Sequence, residues 1–311
     1  MSYLSLGGMF RAACVLAMLA FTCTGAQAQT ESTPYPPSDV APASVLFFNK
    51  YTSSPTSPQL QDTQINITNT NQNEPISLHM FLVDGSTCSI ADFFLSLTQN
   101  QTFSFLVSEF DPGVQGYIVA VAAAGGTPTQ FNYLIGDEFI RESDGKLANL
   151  QAVGVQKISP GDVIPNGDGT ASMIFNNVEY GRLPSVLGAS SFNSQVTHST
   201  NLAVYSPSSN LITGAAVATT IFTLVYDDSE NVHSTSIRVV CYIQTPLTSL
   251  RIAGGSINQI VPVGHTGWLR LNAGTRPILG AILTRGPVFI GGHNLHALTL
   301  LPTYTINVPA F

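Results

Sequence analysis

Short apolar segments follow one another from Ala43 to the end of the chain, separated by Gly, Pro, Asn and Asp. Apolar and polar residues alternate within them; Ile65 and Ile67, for example, have polar neighbours. Alternation with a period of two, together with β-branched and aromatic residues, is typical of half-buried strands. Heptads and long amphipathic helical segments do not occur in the sequence. This rhythm predicts an all-β fold of antiparallel sandwiches.

Four pairs of similar segments occur in the same order along the chain. Both members of the first pair read Ser-Val-Leu, and the later pairs share apolar runs and turn residues. Collinear matches of this kind predict an internal duplication, with extra residues around 239–250 in the second copy. The pairs are residues 44–46 with 185–187, 80–86 with 223–229, 111–121 with 272–282, and 131–134 with 293–296.

The repeat and the composition together predict five regions. A signal peptide and a flexible Pro-, Ser- and Thr-rich linker precede a first β-sandwich, an irregular connector and a second β-sandwich. The corresponding ranges are 1–28, 29–42, 43–126, 127–183 and 184–311.

The N-terminal region has the layout of a secretory signal. Arg11 precedes the apolar run 12–21, and Ala26 and Ala28 supply the small residues that signal peptidase accepts. No later run is apolar for the eighteen or so residues that a membrane helix needs. We therefore expect export to the periplasm, the cell surface or the extracellular space, without a retained transmembrane helix.

Charged residues are scarce. They make up 9% of the chain, which has 11 Lys and Arg against 18 Asp and Glu and a net charge of −7. The surface must therefore be made polar by Ser, Thr, Asn, Gln and Gly, as in many extracellular β-proteins. A basic footprint for nucleic acid or an anionic membrane is missing, so we exclude both as partners.

In its polar, sparsely charged strands and its tandem layout, the chain resembles secreted bacterial proteins, many of them uncharacterised, with immunoglobulin-like or fibronectin-like modules. The resemblance covers residues 43–126 and 184–311 and rests on pattern, without a signature motif. It implies two tandem immunoglobulin-like β-sandwich domains and no catalytic residues. The sole Trp, Trp268, falls opposite Phe103 in the repeat and is expected in the core.

Two cysteines remain after signal cleavage, Cys88 and Cys241, one in each copy. Export favours disulfides. A bridge between these two must cross from one predicted domain to the other, whereas two free thiols need no special geometry. Both possibilities stay open.

Two groups of residues are weak metal candidates. His265, His293 and His296 offer imidazoles suited to zinc or copper, but the first copy has Phe131 and Leu134 where the second has His293 and His296. Half-buried structural histidines are the alternative. Oxygen ligands for calcium are offered by Asp162, Asn166 and Asp168, although Pro165 interrupts them, a later Glu is missing and Asn-Gly and Asp-Gly are ordinary turns. We expect no cofactor.

Clustered carboxylates are the strongest hydrolytic signal. Paired acids perform glycoside hydrolysis when one is kept protonated, yet hairpin ends commonly carry solvated acids. Nucleophile elbows and phosphate-binding glycine loops do not occur. We therefore predict that the protein is not an enzyme. The two acidic clusters are Asp137, Glu138 and Glu142, and Asp227, Asp228 and Glu230.

The sequence favours a secreted, non-enzymatic protein with a structural or adhesive role, whose partner is a cell-surface protein or a polysaccharide. The alternative is a carbohydrate-binding module, and a metal-dependent or hydrolytic enzyme is third. Exposed aromatics clustered on one sheet face would favour carbohydrate binding, and a concave pocket with histidines or carboxylates an enzyme. The oligomeric state stays open. Candidate platform residues are Tyr51, Phe110, Tyr180 and Tyr205.

Overall fold

The protein is nearly all β. The structure is a computed structural model that describes residues 36–194, 197–214, 216, 218–252 and 255–310. Strands make up 56% of it, with short 3-10 turns at Val107–Glu109 and Leu247–Ser249 and one short helix, α1 (Ile257–Ile260), in the described part. The strands are β1 (Val45–Thr52), β2 (Asp62–Asn69), β3 (Ile76–Asp84), β4 (Ile90–Leu97), β5 (Thr102–Leu106), β6 (Gln115–Ala124), β7 (Thr127–Pro128), β8 (Leu134–Arg141), β9 (Leu147–Gln151), β10 (Val153–Val155), β11 (Thr170–Ile174), β12 (Pro184–Asn193), β13 (Ser199–Tyr205), β14 (Thr219–Asp227), β15 (Val232–Val239), β16 (Tyr242–Pro246), β17 (Thr266–Asn272), β18 (Leu279–Arg285), β19 (Ile290–Asn294), β20 (His296–Leu300) and β21 (Thr305–Pro309).

These strands pair into four main sheets and one strand pair. Sheet I has the order β10-β1-β6-β3-β4, with β7 also paired to β6, and sheet II has the order β5-β2-β8-β9. Sheet III is β15-β14-β17-β12-β20, sheet IV is β16-β13-β18-β19, and β11 pairs with β21. All pairs between these strands are antiparallel, as the alternation predicts.

The prediction of two tandem immunoglobulin-like sandwiches is wrong. The small sheets are arranged as a four-bladed, propeller-like ring. Core clusters join sheets I and II, sheets III and IV, sheets II and IV, and sheet I with sheet IV and the β11–β21 pair. Because two of these clusters contain residues from both halves of the chain, the cores are not those of two separate sandwiches.

Sheet I shows why the sandwich interpretation fails. All eight residues of β1 are buried, as are eight of the ten in β6. A sandwich sheet covers one face only and leaves the other to water, whereas sheet I is covered on both. The continuous apolar runs of β1 and β6 carry this signal in the sequence.

Sheets I and III share one strand order, and so do sheets II and IV. In this correspondence β1 matches β12, β3 matches β14, β6 matches β17 and β8 matches β18. The first two pairs of similar sequence segments fall on matching strands, but the other two do not: 111–121 leads into β6, whereas 272–282 leads into β18. The comparison of Phe131 and Leu134 with His293 and His296 therefore has no structural basis, and the duplication stays a prediction.

Residues 34–311 form one compact unit. The segment 127–183, assigned from the sequence to a connector, supplies β8 and β9 to sheet II and β10 to sheet I. Of the predicted linker, residues 36–42 are described, and Ser38 forms a β-bridge with Gly154. The predicted signal peptide lies outside the described residues. No helix among those described is long and apolar enough to cross a membrane.

Candidate functional site

The outward face of sheet III carries a group of aromatic side chains. On β14, Ile221 and Val225 point into the core, so Phe222 and Tyr226 point outward. On β17, Leu269 and Leu271 are core residues, so Trp268 faces outward as well. Phe222 is 50% exposed, and Tyr226 and Trp268 are half-buried. We call this surface, with Leu224 and Arg270 between the rings, the aromatic face.

The strand register places the rings close together. Tyr226 pairs directly with Trp268, and Leu224 pairs with Arg270. The Tyr226 and Trp268 rings stack in parallel, with centroids 3.7 Å apart and an interplanar angle of 1°. On the other side of Trp268, β12 has a register shift between Ala189 and Phe192. Only the exposed Ser190 and Ser191 lie in this shift, so no bulky neighbour on that strand covers the indole.

A groove adjoins the aromatic face at the edge strand β15. Its volume is about 730 Å³, and Phe222 and Arg238 belong both to its lining and to the outward face of sheet III. Arg251 lies on its far side, where the Arg251 carbonyl accepts a 2.6 Å hydrogen bond from Thr235 Oγ1. None of the eleven lining residues is acidic. We call this the arginine groove; it is lined by Phe222, Ser234, Thr235, Ser236, Ile237, Arg238, Ile243, Thr245, Ser249, Leu250 and Arg251.

The arginines at this site differ from the other cations. Arg238, Arg251 and Arg270 are exposed, and among the described residues none of their side chains has an ion-pair or hydrogen-bond partner. Six of the other seven Lys and Arg in that part of the chain have one, and the seventh, Arg276, is half-buried beside Tyr304. Lys50, Lys146 and Arg285 pair with carboxylates, and Lys157, Arg141 and Arg182 hydrogen-bond to oxygens. The exposed arginines without a partner thus all border the aromatic face or its groove.

Acidic residues and a histidine lie beyond the Tyr226–Trp268 pair. His265 Nδ1 is 2.6 Å from Asp228 Oδ2, and both line a depression of about 580 Å³ with Asp227. Asp227 accepts hydrogen bonds from Asn231 and Ser229, and the bond from the Asn231 side chain contributes most to lowering its pKa. A carboxyl kept ionised as a turn cap is a poor general acid.

His293 and His296 lie on β19 and β20. Their rings stack with centroids 5.4 Å apart, and His293 Nδ1 is 2.9 Å from the Asn294 carbonyl oxygen. The buried Nε2 of His293 has no hydrogen-bond partner. Among the residues that the structure describes, no three His, Cys, Asp or Glu side chains are grouped to hold a metal ion.

The candidate calcium residues are engaged in their own turn. Asn166 Nδ2 donates to Thr170 Oγ1 and Ser172 Oγ, at 2.8 and 2.9 Å. Asp168 Oδ1 accepts from the Thr170 hydroxyl at 2.6 Å, and this bond is the main cause of its lowered pKa. Asp162 is exposed and forms a β-bridge with Thr129. These bonds are those of an ordinary turn.

The acidic cluster of Asp137, Glu138 and Glu142 is divided between core and surface. Glu138 is wholly buried, and its carboxylate accepts the Lys50 backbone N–H at 3.1 Å. Burial is the main cause that raises its pKa well above the ordinary value. Glu142 pairs at 2.8 Å with the Lys50 ammonium, whose side chain is 2% exposed. Asp137 accepts from Asn66 and Asn149. A substrate cannot reach Glu138, and Glu142, whose side chain is 11% exposed, is held between Lys50 and Arg285.

The aromatic residues proposed from the sequence are not the ones on the platform. Tyr51, Tyr180 and Tyr205 are fully buried, and Phe110, which is 40% exposed, stacks on Phe93 at 3.9 Å. The expectation that Trp268 lies in the core is also wrong. The sequence contained the signal, because Arg270 lies two residues after Trp268 and therefore on the same face of the strand.

Cys88 and Cys241 form a disulfide, with their Cα atoms 5.4 Å apart. Cys88 lies in the β3–β4 turn and Cys241 between β15 and β16. The bridge therefore links the two halves of the chain.

Comparisons with known proteins do not identify a family. No family model and no curated protein matches the chain. Among solved structures, the crystal structure of Thermotoga maritima 1070 aligns with 36% of this chain and 93% of its own, at 11% identity and a TM-score of 0.28. A similarity at this level supports neither a shared fold nor a shared activity.

Proposed function

We propose that this is an exported, non-enzymatic protein that binds carbohydrate through the aromatic face of sheet III. The observation that carries the proposal is the grouping of Phe222, Tyr226 and Trp268 at outward positions of two paired strands. Large apolar side chains that share one exposed surface mark an interaction site. A structural or adhesive role at the cell surface is compatible with such binding.

Sugar rings suit this surface for an electrostatic reason. The C–H bonds on one face of a pyranose carry partial positive charge, and the faces of aromatic rings carry partial negative charge. The exposed Ser190, Ser191 and Asn272 on neighbouring strands supply hydrogen-bonding groups beside the rings. The open face of the sheet admits an extended chain of sugars, which a closed pocket would not.

Glycan-array binding of the purified protein tests the proposal, with Trp268→Ala as the site variant. Loss of the indole removes the largest ring, and we expect affinity for the bound glycan to fall about tenfold, which corresponds to ~1.4 kcal/mol. Phe289→Ala is the matched control, because Phe289 is 47% exposed but lies outside sheet III. Absence of glycan binding, or equal loss in both variants, would contradict the proposal.

A further inference from the structure

We infer that the ligand is an acidic polysaccharide, recognised by the aromatic face for its sugar rings and by Arg238, Arg251 and Arg270 for its anionic groups. This inference rests on the proposed carbohydrate function and adds the class of sugar. Its basis is the location of the unpaired arginines. Three exposed guanidinium groups without partners border one surface, whereas six of the remaining seven Lys and Arg of the described residues are ion-paired or hydrogen-bonded and the seventh, Arg276, is half-buried.

Charge complementarity restricts where such a polymer can bind. The chain has a net charge of −7, so an anionic polymer is repelled by most of its surface. The arginine groove contains no acidic residue, and Arg270 lies between the rings on the same outward face. Guanidinium groups offer planar, paired N–H donors that match carboxylates and sulfates.

The spacing of the arginines favours a polymer over a small anion. Arg270 is level with Leu224 and Ser234 across the sheet, and Arg238 lies four residues further along β15. Four residues along a strand are about 14 Å and two strand spacings about 10 Å, so the two Cα atoms are about 17 Å apart. A small anion with one charge can neutralise only one of these two arginines. An extended chain with repeated charges places one anion at Arg270 and another in the groove.

Nucleic acid fits this surface less well. A nucleic acid carries one phosphate on every nucleotide, so it presents many more charges than the three arginines available here on a chain of net charge −7 can match. The 18 acidic residues of the chain would repel the excess.

The experiment compares each charged polysaccharide with a neutral counterpart of the same backbone, and with a nucleic acid. Binding is measured by affinity electrophoresis and calorimetry with polygalacturonate and its full methyl ester, dextran sulfate and dextran, and oligo(dT). We expect one of the two charged polysaccharides to bind at least about tenfold more tightly than its neutral counterpart, with affinity falling as salt rises. Which one binds distinguishes carboxylate from sulfate recognition.

Two arginine variants test whether these residues cause the preference for a charged polymer. Arg238→Gln/Arg251→Gln and Arg270→Gln are expected to reduce the charged-over-neutral preference at least about tenfold and to flatten the salt dependence. Arg141→Gln is the control, because Arg141 is exposed, lies on sheet II and donates a hydrogen bond to the Gln59 carbonyl. Circular dichroism of each variant verifies folding.

The outcomes separate the two proposals. If neutral and charged polymers bind equally and only Trp268→Ala weakens binding, the acidic ligand is wrong and the carbohydrate function stands. If none of the four polysaccharides binds, the acidic ligand is wrong, and the glycan array decides the carbohydrate function. Equal binding of oligo(dT) and the charged polysaccharides, through the same arginines, would overturn recognition of a sugar.

Discussion

The titration of the buried His79 links pH to stability. It is buried on β3, with its ring 4.0 Å from those of Phe81 and Phe94 and its Nε2 2.7 Å from Asp92 Oδ2. Burial lowers its pKa below the ordinary 6.5, and this effect outweighs the opposing hydrogen bond and charge of Asp92. The folded protein therefore binds a proton at His79 less readily than the unfolded chain does.

This difference fixes the sign of the pH dependence. The unfolded state holds more protons between the lowered pKa and 6.5, so stability rises with pH in that interval. The raised pKa of the buried Glu138 acts in the opposite direction, so the expectation concerns the contribution of His79: the change in the free energy of unfolding from pH 5.5 to pH 7.5 should be more positive in the wild type than in His79→Gln. His296→Gln, at an exposed position, serves as the control and should keep the difference. An unchanged slope in His79→Gln would show that the burial of this imidazole does not control the dependence.

At the scale of the element, close strand packing in sheet IV depends on a glycine. A Cβ atom built on Gly280 of β18 would lie 2.2 Å from the Ala203 carbonyl oxygen of β13, and no side chain can move to relieve that contact. Gly280→Ala is therefore expected to destabilise the protein by about 1–3 kcal/mol through forced backbone shifts. Gly291 on the adjacent β19 has open space around the same position and an ordinary φ, so Gly291→Ala is the matched control. Thermal melts of both variants check this, and equal melting temperatures would contradict it.

The strands themselves were largely predictable, and the faces of several were not. Alternation located β2, where Ile65 and Ile67 are buried, because each apolar side chain of that strand faces one core. The comparison with Phe103 in the predicted repeat placed Trp268 in the core and was wrong, because Trp268 shares its face of β17 with the exposed Arg270. In the aromatic face, ring size suggests burial while strand parity dictates exposure, and parity prevails because the backbone fixes it.

At the scale of the whole molecule, the sequence did not predict how the sheets are arranged. A period of two specifies which side of a strand is covered, but it does not specify which sheet covers it. Sheets II and IV, for instance, meet through Ile140 and Leu283, and this contact leaves no signature in either strand. The candidate site could not be predicted from the sequence for a related reason. It gathers β14, β15 and β17 with Arg251, and their proximity follows from register and sheet order.

The disulfide is the strongest constraint on the folding of the whole chain. Cys88 and Cys241 are 153 residues apart, so the bridge closes a loop of nearly half the protein. Loop closure in the unfolded chain predicts a stabilisation of up to about 5 kcal/mol, and disulfides typically deliver 2–4 kcal/mol. The Cys88→Ser/Cys241→Ser variant should therefore unfold at a lower urea concentration, with a free energy of unfolding about 2–5 kcal/mol below that of the wild type. Wild-type protein in excess dithiothreitol should match it.

The shared cores predict that the two halves of the chain unfold together. Because one cluster contains Val45 and Phe47 of sheet I together with Ala203 and Leu279 of sheet IV, neither half can unfold without exposing core residues of the other. Without the bridge, we expect the fluorescence of Trp268 and the far-ultraviolet circular dichroism to change at one urea concentration. Two separate transitions, with the tryptophan reporting only one, would show that the halves are stable independently. The disulfide would then join two folding units instead of reinforcing one.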